Sequence, residues 1–485
     1  YLQAGKPAQI KGLMLLPSLV WQPNNDTRLL LEAFYEKLPK AGDRNFLLRR
    51  GTVDAVEGQT VSPRFFAGDP HFFDLHTRKW QAGGEFSHRF SPLLTFQQFL
   101  RHGRYDDYLK SLIVWDPGAG SEIIRKARIF DQRNRETQSD TRLQWRFATG
   151  AAQHTLLTGL DWQRSKEKLD TWLGSAPSID WRRPVYGVAV DAPPYQFGRD
   201  TVMRQTGLYA QDQIALGPWR FIAGLRRDHA SSCSDGDARQ KDSKLTWRAG
   251  ALYQAASGLH PYLSYSTSFL PEAGKDAAGD FLKPTTAAQV EAGVKYQPPG
   301  SQMLLTAAWF SITQKNLTVT DPATRLRTQR GKVRTRGLEL ELQGDLSPQW
   351  GLSGSYTWLD KKVREDSNPR LIGTTQWGVP AHSASFWVDH RFAGALRGFS
   401  AGLGVRRQGK TWGDNANTFR VPAFTLIDAK LDWDPGQHYP ALRGSFVQLN
   451  VQNLAGRRYV ASCANDYSCF LGKERRATLS AGYRW

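Results

Sequence analysis

The chain has 485 residues, a net charge of +19, 22% charged and 12% aromatic side chains, and a mean hydropathy of −0.51. That length allows several soluble domains or one large closed sheet. It excludes a helical membrane protein, because the most apolar window, Gly12–Trp21, is shorter than a ~20-residue span and contains Pro17. The basic balance does not point to nucleic acid. Arg and Lys are scattered and form no helix-borne cluster, so basic faces toward anionic lipid head groups and an acidic partner suit it better.

In chain order the sequence reads as paired strands. Tyr1 opens no signal peptide, which predicts a mature, trimmed or partial chain. A strand over Gly12–Gln22, descending from the outside, turns at Pro23–Asp26. Further short turns are expected at Ser91–Pro92, Thr149–Gln153, Leu216–Pro218 and Ala256–Gly258, and long polar loops over Lys37–Lys79 and Ser165–Thr201. Ala288–Tyr296 alternates, turns at Pro298–Ser301 and returns through Leu304–Ile312. Gly337–Gln343 sets leucines against acids, turns at Ser347–Pro348, and returns with Trp350, Leu352, Tyr356 and Trp358 on one side. After a turn at Ala393–Ala395, Val447, Leu449 and Val451 alternate with Gln448, Asn450 and Gln452.

The last run, Arg475–Trp485, sets Ala477, Leu479, Ala481, Tyr483 and Trp485 against Arg476, Thr478, Ser480, Gly482 and Arg484. Strict alternation puts alternate side chains on opposite faces of a strand. A soluble β-sandwich fills its inner face with apolar residues, so a polar face in strand after strand needs a water-filled or plugged lumen. The expected fold is all-β: a transmembrane antiparallel β-barrel with short turns on the periplasmic rim and long loops outside. About nineteen strands can be traced, whereas single-chain bacterial barrels have an even number. An odd number of strands is therefore expected to be missing at the amino end.

Cys463 and Cys469, six apart, suit a small disulfide-closed loop; free thiols or a metal pair are the alternatives, and Cys233 has no local partner. HExxH does not occur, and the sequence does not read as an enzyme.

Several stretches resemble the barrel of TonB-dependent ferric-siderophore receptors, in the branch with ferrichrome, ferrioxamine and coprogen receptors. They include PSLVWQPNNDTRLLL from Pro17, LQWRFATGAAQHTLLTGLDWQR from Leu143, TGLYAQDQI from Thr206 and PYLSYSTSFLP from Pro261. QVEAGVKY from Gln289, RGLELEL from Arg336, VPAHSASFW from Val379, VPAFTLIDA from Val421 and NLAGRRYVASCANDYSCFLGKERR from Asn453 continue the likeness. The resemblance implies a twenty-two-stranded barrel across residues 1–485, lacking the family's amino-terminal plug, its TonB-contacting box and about three strands. It implies a bacterial outer-membrane, multi-pass receptor that carries a ferric hydroxamate siderophore as transported ligand and binds no cofactor or metal ion of its own. Expected partners are that siderophore, outer-membrane lipid and lipopolysaccharide, and TonB only through the missing segment. The chain is expected to be a monomer, to bind no nucleic acid, and alone to be incompetent for active uptake.

A ferric chelate needs aromatic rings and a few polar donors, not metal ligands. The resemblance places Phe46 at a loop aromatic, and Phe470 and Tyr467 in the loop bounded by Cys463 and Cys469. Trp115, Tyr195 and Phe197 are further rim candidates, with Phe65, Phe66, Phe72, Phe73 and Tyr186 behind them. For each, packing of loops or membership of an aromatic girdle competes with ligand contact. Asp43 and Arg44 stand where the ferrichrome-type pattern has aromatics, and Arg44, Arg49 and Arg50 are either an anion-attracting group or a solvated cluster. Rival functions are a passive pore or remnant barrel, a surface adhesin or phage-docking protein, a haem receptor, and a soluble β-rich protein.

Overall fold

The computed structural model describes residues 9–320 and 326–484. Trp485, the aromatic end of the last alternating run, lies outside the described residues. Twenty strands belong to one sheet, and every pairing described in it is antiparallel. Its first strands are β1 (Ile10–Leu15), β2 (Ser18–Trp21), β3 (Thr27–Ala41), β4 (Asp74–Ser91), β5 (Leu94–Pro117), β6 (Glu122–Thr149) and β7 (Ala152–Asp180). β8 (Tyr195–Leu216), β9 (Trp219–Ser234), β10 (Gln240–Tyr253), β11 (Leu259–Leu270), β12 (Thr285–Tyr296), β13 (Leu304–Thr320) and β14 (Arg327–Asp345) follow. Then come β15 (Trp350–Glu365), β16 (His382–Arg391), β17 (Phe399–Gln408), the small β18 (Thr411–Trp412) and β19 (Arg420–Val421), and β20 (Phe424–Trp433). β21 (Ser445–Gln452), the hairpin of β22 (Val460–Cys463) and β23 (Cys469–Leu471), and β24 (Arg476–Tyr483) complete the chain.

β1 and β2 both pair with β3, so they are one pass interrupted at Leu16–Pro17. Proline has no N–H for the ladder, and its carbonyl instead accepts from Ala33 N at 3.0 Å. Twenty strands thus make nineteen passes among the described residues, the number read from the sequence. The short turns lie where Pro, Gly and Ser predict them. The long loops are shorter than expected, the first by a few residues at each end and the second by most of its length. β3 runs on to Ala41 and β4 begins at Asp74, while β7 reaches Asp180 and β8 begins at Tyr195, so most of 165–201 is strand. Its charges are paired in the sheet: Arg199 with Glu167 at 2.8 Å and Lys166 with Asp200 at 3.0 Å. That is why a loop-like composition forms a ladder.

The chain divides into two compact units. The first is the described part of Tyr1–Ala251, Tyr265–Ala288 and Gln314–Gly331; the second is Leu252–Ser264, Gln289–Thr313 and the described part of Lys332–Trp485.

In the first unit the two sheet faces differ as alternation requires. Leu160 lies opposite Leu208, and Trp145 opposite Leu94 and Leu156, on a face where Leu160, Leu208, Leu225 and Trp145 are exposed. The other face is polar and paired. Tyr209 Oη donates to Asp140 at 2.8 Å, and Arg226 bridges Asp161 at 2.6 Å and Asp228 at 2.7 Å. Gly207 makes room for that guanidinium, because a Cβ there would fall 2.0 Å from its nitrogen. Exposed aromatics gather beside the short turns: Phe90, Phe147, Trp219 and Phe221.

In the second unit β14 to β17 pair in sequence order, β17 pairs with β20, β20 with β21, and β21 with β24. Leu479, 72% exposed, sits opposite Leu449 on the apolar face, while Thr478 opposes Asn450 on the polar one. Trp350 and Tyr483 are exposed at the short-turn end.

Candidate functional site

There are two candidate regions, each on a long connection between strands and one in each unit. In the first, β6 has 28 residues and β7 has 29. At ~3.3 Å per residue these strands run about 90 Å, and since a membrane-crossing strand needs only ~10 residues, more than half of each projects beyond a bilayer.

The connection between β3 and β4 folds onto this projecting sheet. Leu75, Leu109, Phe130 and Leu169 form a buried cluster against which Ala41 and Phe73 pack. Within the connection Leu47, Leu48, Phe65 and Phe66 are buried, Phe66 completely. Burying such a side chain stabilises by about 2–3 kcal/mol. Asn45 laces the connection to itself, donating to Phe65 O at 2.8 Å and accepting from Ala67 N at 2.9 Å.

Arg125 of β6, buried to 2% exposure, holds the connection down. Its guanidinium donates to Ala67 O at 3.1 Å, Gly68 O at 2.8 Å and Pro177 O at 2.8 Å. Burial pulls its pKa below the ordinary arginine value, and nearby Asp69 opposes that. Asp69 accepts from His71 N at 2.9 Å and from Gly187 N at 2.8 Å, which ties in the β7–β8 connection. Tyr186 Oη donates to Phe66 O at 3.0 Å, and burial pushes its pKa up.

Phe65, Phe66, Phe73 and Tyr186 therefore pack loops. Phe66 and Phe73 meet edge to face at 5.4 Å, and the Lys110 ammonium covers the Phe72 ring at 4.8 Å. Arg44 pairs with Asp107 at 3.2 Å, Arg49 with Asp54 at 2.6 Å, and Arg50 donates to Gly120 O. These three arginines hold loops and strands together rather than forming a solvated cluster.

The remaining aromatic candidates of this unit are spread over three elements. Phe46 is half-buried in the connection, next to Leu47. Trp115, near the outer end of β5, lies under the Lys126 ammonium at 3.7 Å. Tyr195 and Phe197 open β8, not a loop, and both are exposed; Tyr195 meets Trp172 edge to face at 5.6 Å.

The second region is the connection from β21 to β24. β22 and β23 pair so that Cys463 opposes Cys469, and the two are disulfide-bonded and fully buried. Ala464 N donates to Ser468 O at 3.0 Å and closes the tip. Phe470 stands half-buried on β23 and Tyr467 exposed at the tip. Cys233 is not in a disulfide; its thiol lies 3.2 Å from Asp237 O.

Sequence reasoning missed the polar residues that set these loops: Asn45, Asp69 and Arg125 in one unit, and Arg406, Asp428 and Asn453 in the other. Asn at the end of an alternating run, followed by Gly456, was a readable turn signal. Nothing in the local sequence marks Arg125 among its many neighbouring cations.

The exposed apolar face, the paired polar face and the aromatics beside the short turns make a sheet built for a bilayer. Residues 20–454 match the family described as TonB dependent receptor-like, beta-barrel.

The chain belongs to this family of TonB-dependent receptors. It is an outer-membrane β-barrel protein of the receptor family, with its short turns on the periplasmic side and its long connections outside.

Among curated relatives, the ferrichrome outer membrane transporter/phage receptor of Escherichia coli (strain K12) is 32% identical over 517 residues, which cover 99% of this chain and 68% of that protein. The ferrioxamine B receptor of Salmonella typhimurium (strain SL1344) is 32% identical over 483 residues, 98% of this chain and 68% of that one. In fold, the chain resembles the closed form of the ferric-catecholate import receptor Fiu from E. coli K12, with a TM-score of 0.82 at 20% identity, covering 99% of this chain and 75% of that one. It also resembles the siderophore receptor PiuA from Acinetobacter baumannii, with a TM-score of 0.84 at 19% identity and the same coverages, 99% and 75%. Family members of this kind are transport receptors, and among the described residues no group of side chains is arranged to hold a metal ion.

Proposed function

We propose that this barrel serves an outer-membrane receptor that binds a ferric hydroxamate siderophore at its outer end and takes it up with energy from TonB. The observation that carries the reading is the likeness, along almost the whole chain, to receptors for ferrichrome and for ferrioxamine. The chemistry agrees. A hydroxamate chelate satisfies its iron internally, so its receptor has to supply rings and hydrogen-bond donors on an ordered surface. Phe46, Trp115, Tyr195 and Phe197 offer rings in the first unit, and Tyr467 and Phe470 in the second. The ferric siderophore is cargo, and the protein carries no resident cofactor.

Outer-membrane lipid is the second partner. A cleft of 480 Å³ on the first unit is lined by Trp162, Arg204, His229, Arg239 and Lys241, and β7, β8 and β9, which carry the first three, also carry exposed Leu160, Leu208 and Leu225. Cations beside a lipid-facing band suit anionic head groups, including those of lipopolysaccharide. The receptor is proposed to act as a monomer.

The test is binding by the purified, detergent-solubilised protein, read by quenching of tryptophan fluorescence. Ferrichrome or ferrioxamine B is expected to bind at least tenfold more tightly than a ferric catecholate; equal or absent binding of all three contradicts the proposal.

A further inference from the structure

We infer that Asn453 is a positioning residue: it sets the outer connection 453–475 in place before any ligand arrives, and so holds Phe470 where the receptor uses it. The inference rests on the receptor reading for its functional consequence and on this unit's geometry for everything else.

Asn453 follows β21 and is buried to 3% exposure, with φ at +50°, a conformation that Asn and Gly tolerate and most side chains resist. Its backbone N–H donates to Asp428 Oδ1 on β20 at 2.8 Å, and Asp428 is gripped in turn by the Arg406 guanidinium from β17. Leu454 N donates to Ile427 O at 2.7 Å, so the chain leaves the sheet along β20.

The side chain then reaches both legs of the connection. Oδ1 accepts from Arg457 N at 2.8 Å, and Nδ2 donates to Arg457 O at 2.8 Å and to Lys473 O at 3.1 Å. One amide therefore laces the start of the connection to its end. Higher up, the Tyr459 ring lies tilted against Phe424 with centroids 4.3 Å apart and crosses Gly472, where a Cβ would fall 2.0 Å from the ring. Gly472 N donates to Tyr459 O at 2.8 Å. With the disulfide at the tip, the connection is tied at its base, middle and top.

Only asparagine meets all these demands. Glycine keeps the backbone conformation and loses every side-chain bond; aspartate keeps the acceptor and loses both donated bonds. Such a connection is an arm ordered in advance, and its ordering cost is not charged to binding.

The experiment uses the full chain, N453G, N453D, G472A, F470A and the double variant N453G/F470A, with ferrichrome and ferrioxamine B as probes. Hydrogen exchange of amides 457–473 is expected to quicken at least tenfold in N453G and N453D. The ladder amides of β21 and β24 stay protected and the heat-dependent gel shift of the barrel is kept. Affinity falls roughly tenfold, and because Asn453 acts through Phe470, N453G/F470A binds no more weakly than F470A alone. G472A, which displaces Tyr459 while leaving Asn453 intact, should give the same exchange pattern and covers the case in which N453G fails to assemble. Unchanged exchange overturns the inference. So does quickened exchange with unchanged affinity, and so does a double variant whose losses simply add. A wild-type chain that binds neither probe overturns the receptor reading instead, and the exchange arm still decides the clamp.

Discussion

Arg125 shows what a single side chain does in the projecting part of the molecule. Its three bonds to backbone carbonyls join β6, the β7 end and the β3–β4 connection. At ~1.5 kcal/mol for each charge-assisted bond, Arg125→Ala is expected to favour local opening by about 4–5 kcal/mol. Brief protease digestion should then cut within 42–73 while the barrel strands stay intact. Cleavage no faster than in the unaltered chain would show that packing of Phe65 and Phe66 is enough. Tyr186 offers a matching test by pH. Its folded pKa is raised, so the stability it contributes is complete below the ordinary tyrosine value of ~10 and is lost as pH rises through the raised value. The 295-nm absorbance difference between the chain and Tyr186→Phe should titrate as one tyrosinate above about pH 10. A midpoint at or below that value contradicts the burial.

At the scale of elements, alternation makes two neighbours on β24 behave oppositely. Leu479 is on the exposed apolar face and Thr478 on the polar one, so Leu479→Arg should cost about 2–4 kcal/mol in urea titrations of folding into vesicles and Thr478→Arg under about 1. Equal costs would mean that β24 has no lipid face. The disulfide hairpin is a second element with its own test. Replacing Cys463 and Cys469 by serine removes roughly 2 kcal/mol of loop ordering by the chain-entropy account, and is expected to weaken siderophore binding while leaving the barrel's gel shift unchanged.

The strands were legible because their cause is local: period-2 alternation, with Pro and Gly at the short turns, needs no knowledge of partners. The outer ladder of β7 and β8 was not legible. Lys166, Glu167 and Arg199 read as loop until Asp200 and Glu167 are seen across the sheet. Likewise Phe65 and Phe66 are plain apolar residues in sequence, and only the fold of the connection puts them inside. Asn453 and Arg125 act through partners about 20 to 60 residues away, a distance at which no local pattern reports.

For the whole molecule, family membership and the exposed apolar face lead to one physical statement: residues that are neighbours in sequence meet different solvents. Cysteines placed singly along 476–483 and along 206–211, each carrying a fluorophore, would report this directly in vesicles through quenching by nitroxides attached to acyl chains or dissolved in water. Labels at 477, 479, 481, 208 and 210 should be quenched from the lipid, and those at 478, 480, 207 and 209 from water, with the preference reversing at every step. A smooth or uniform profile along either strand would contradict the account.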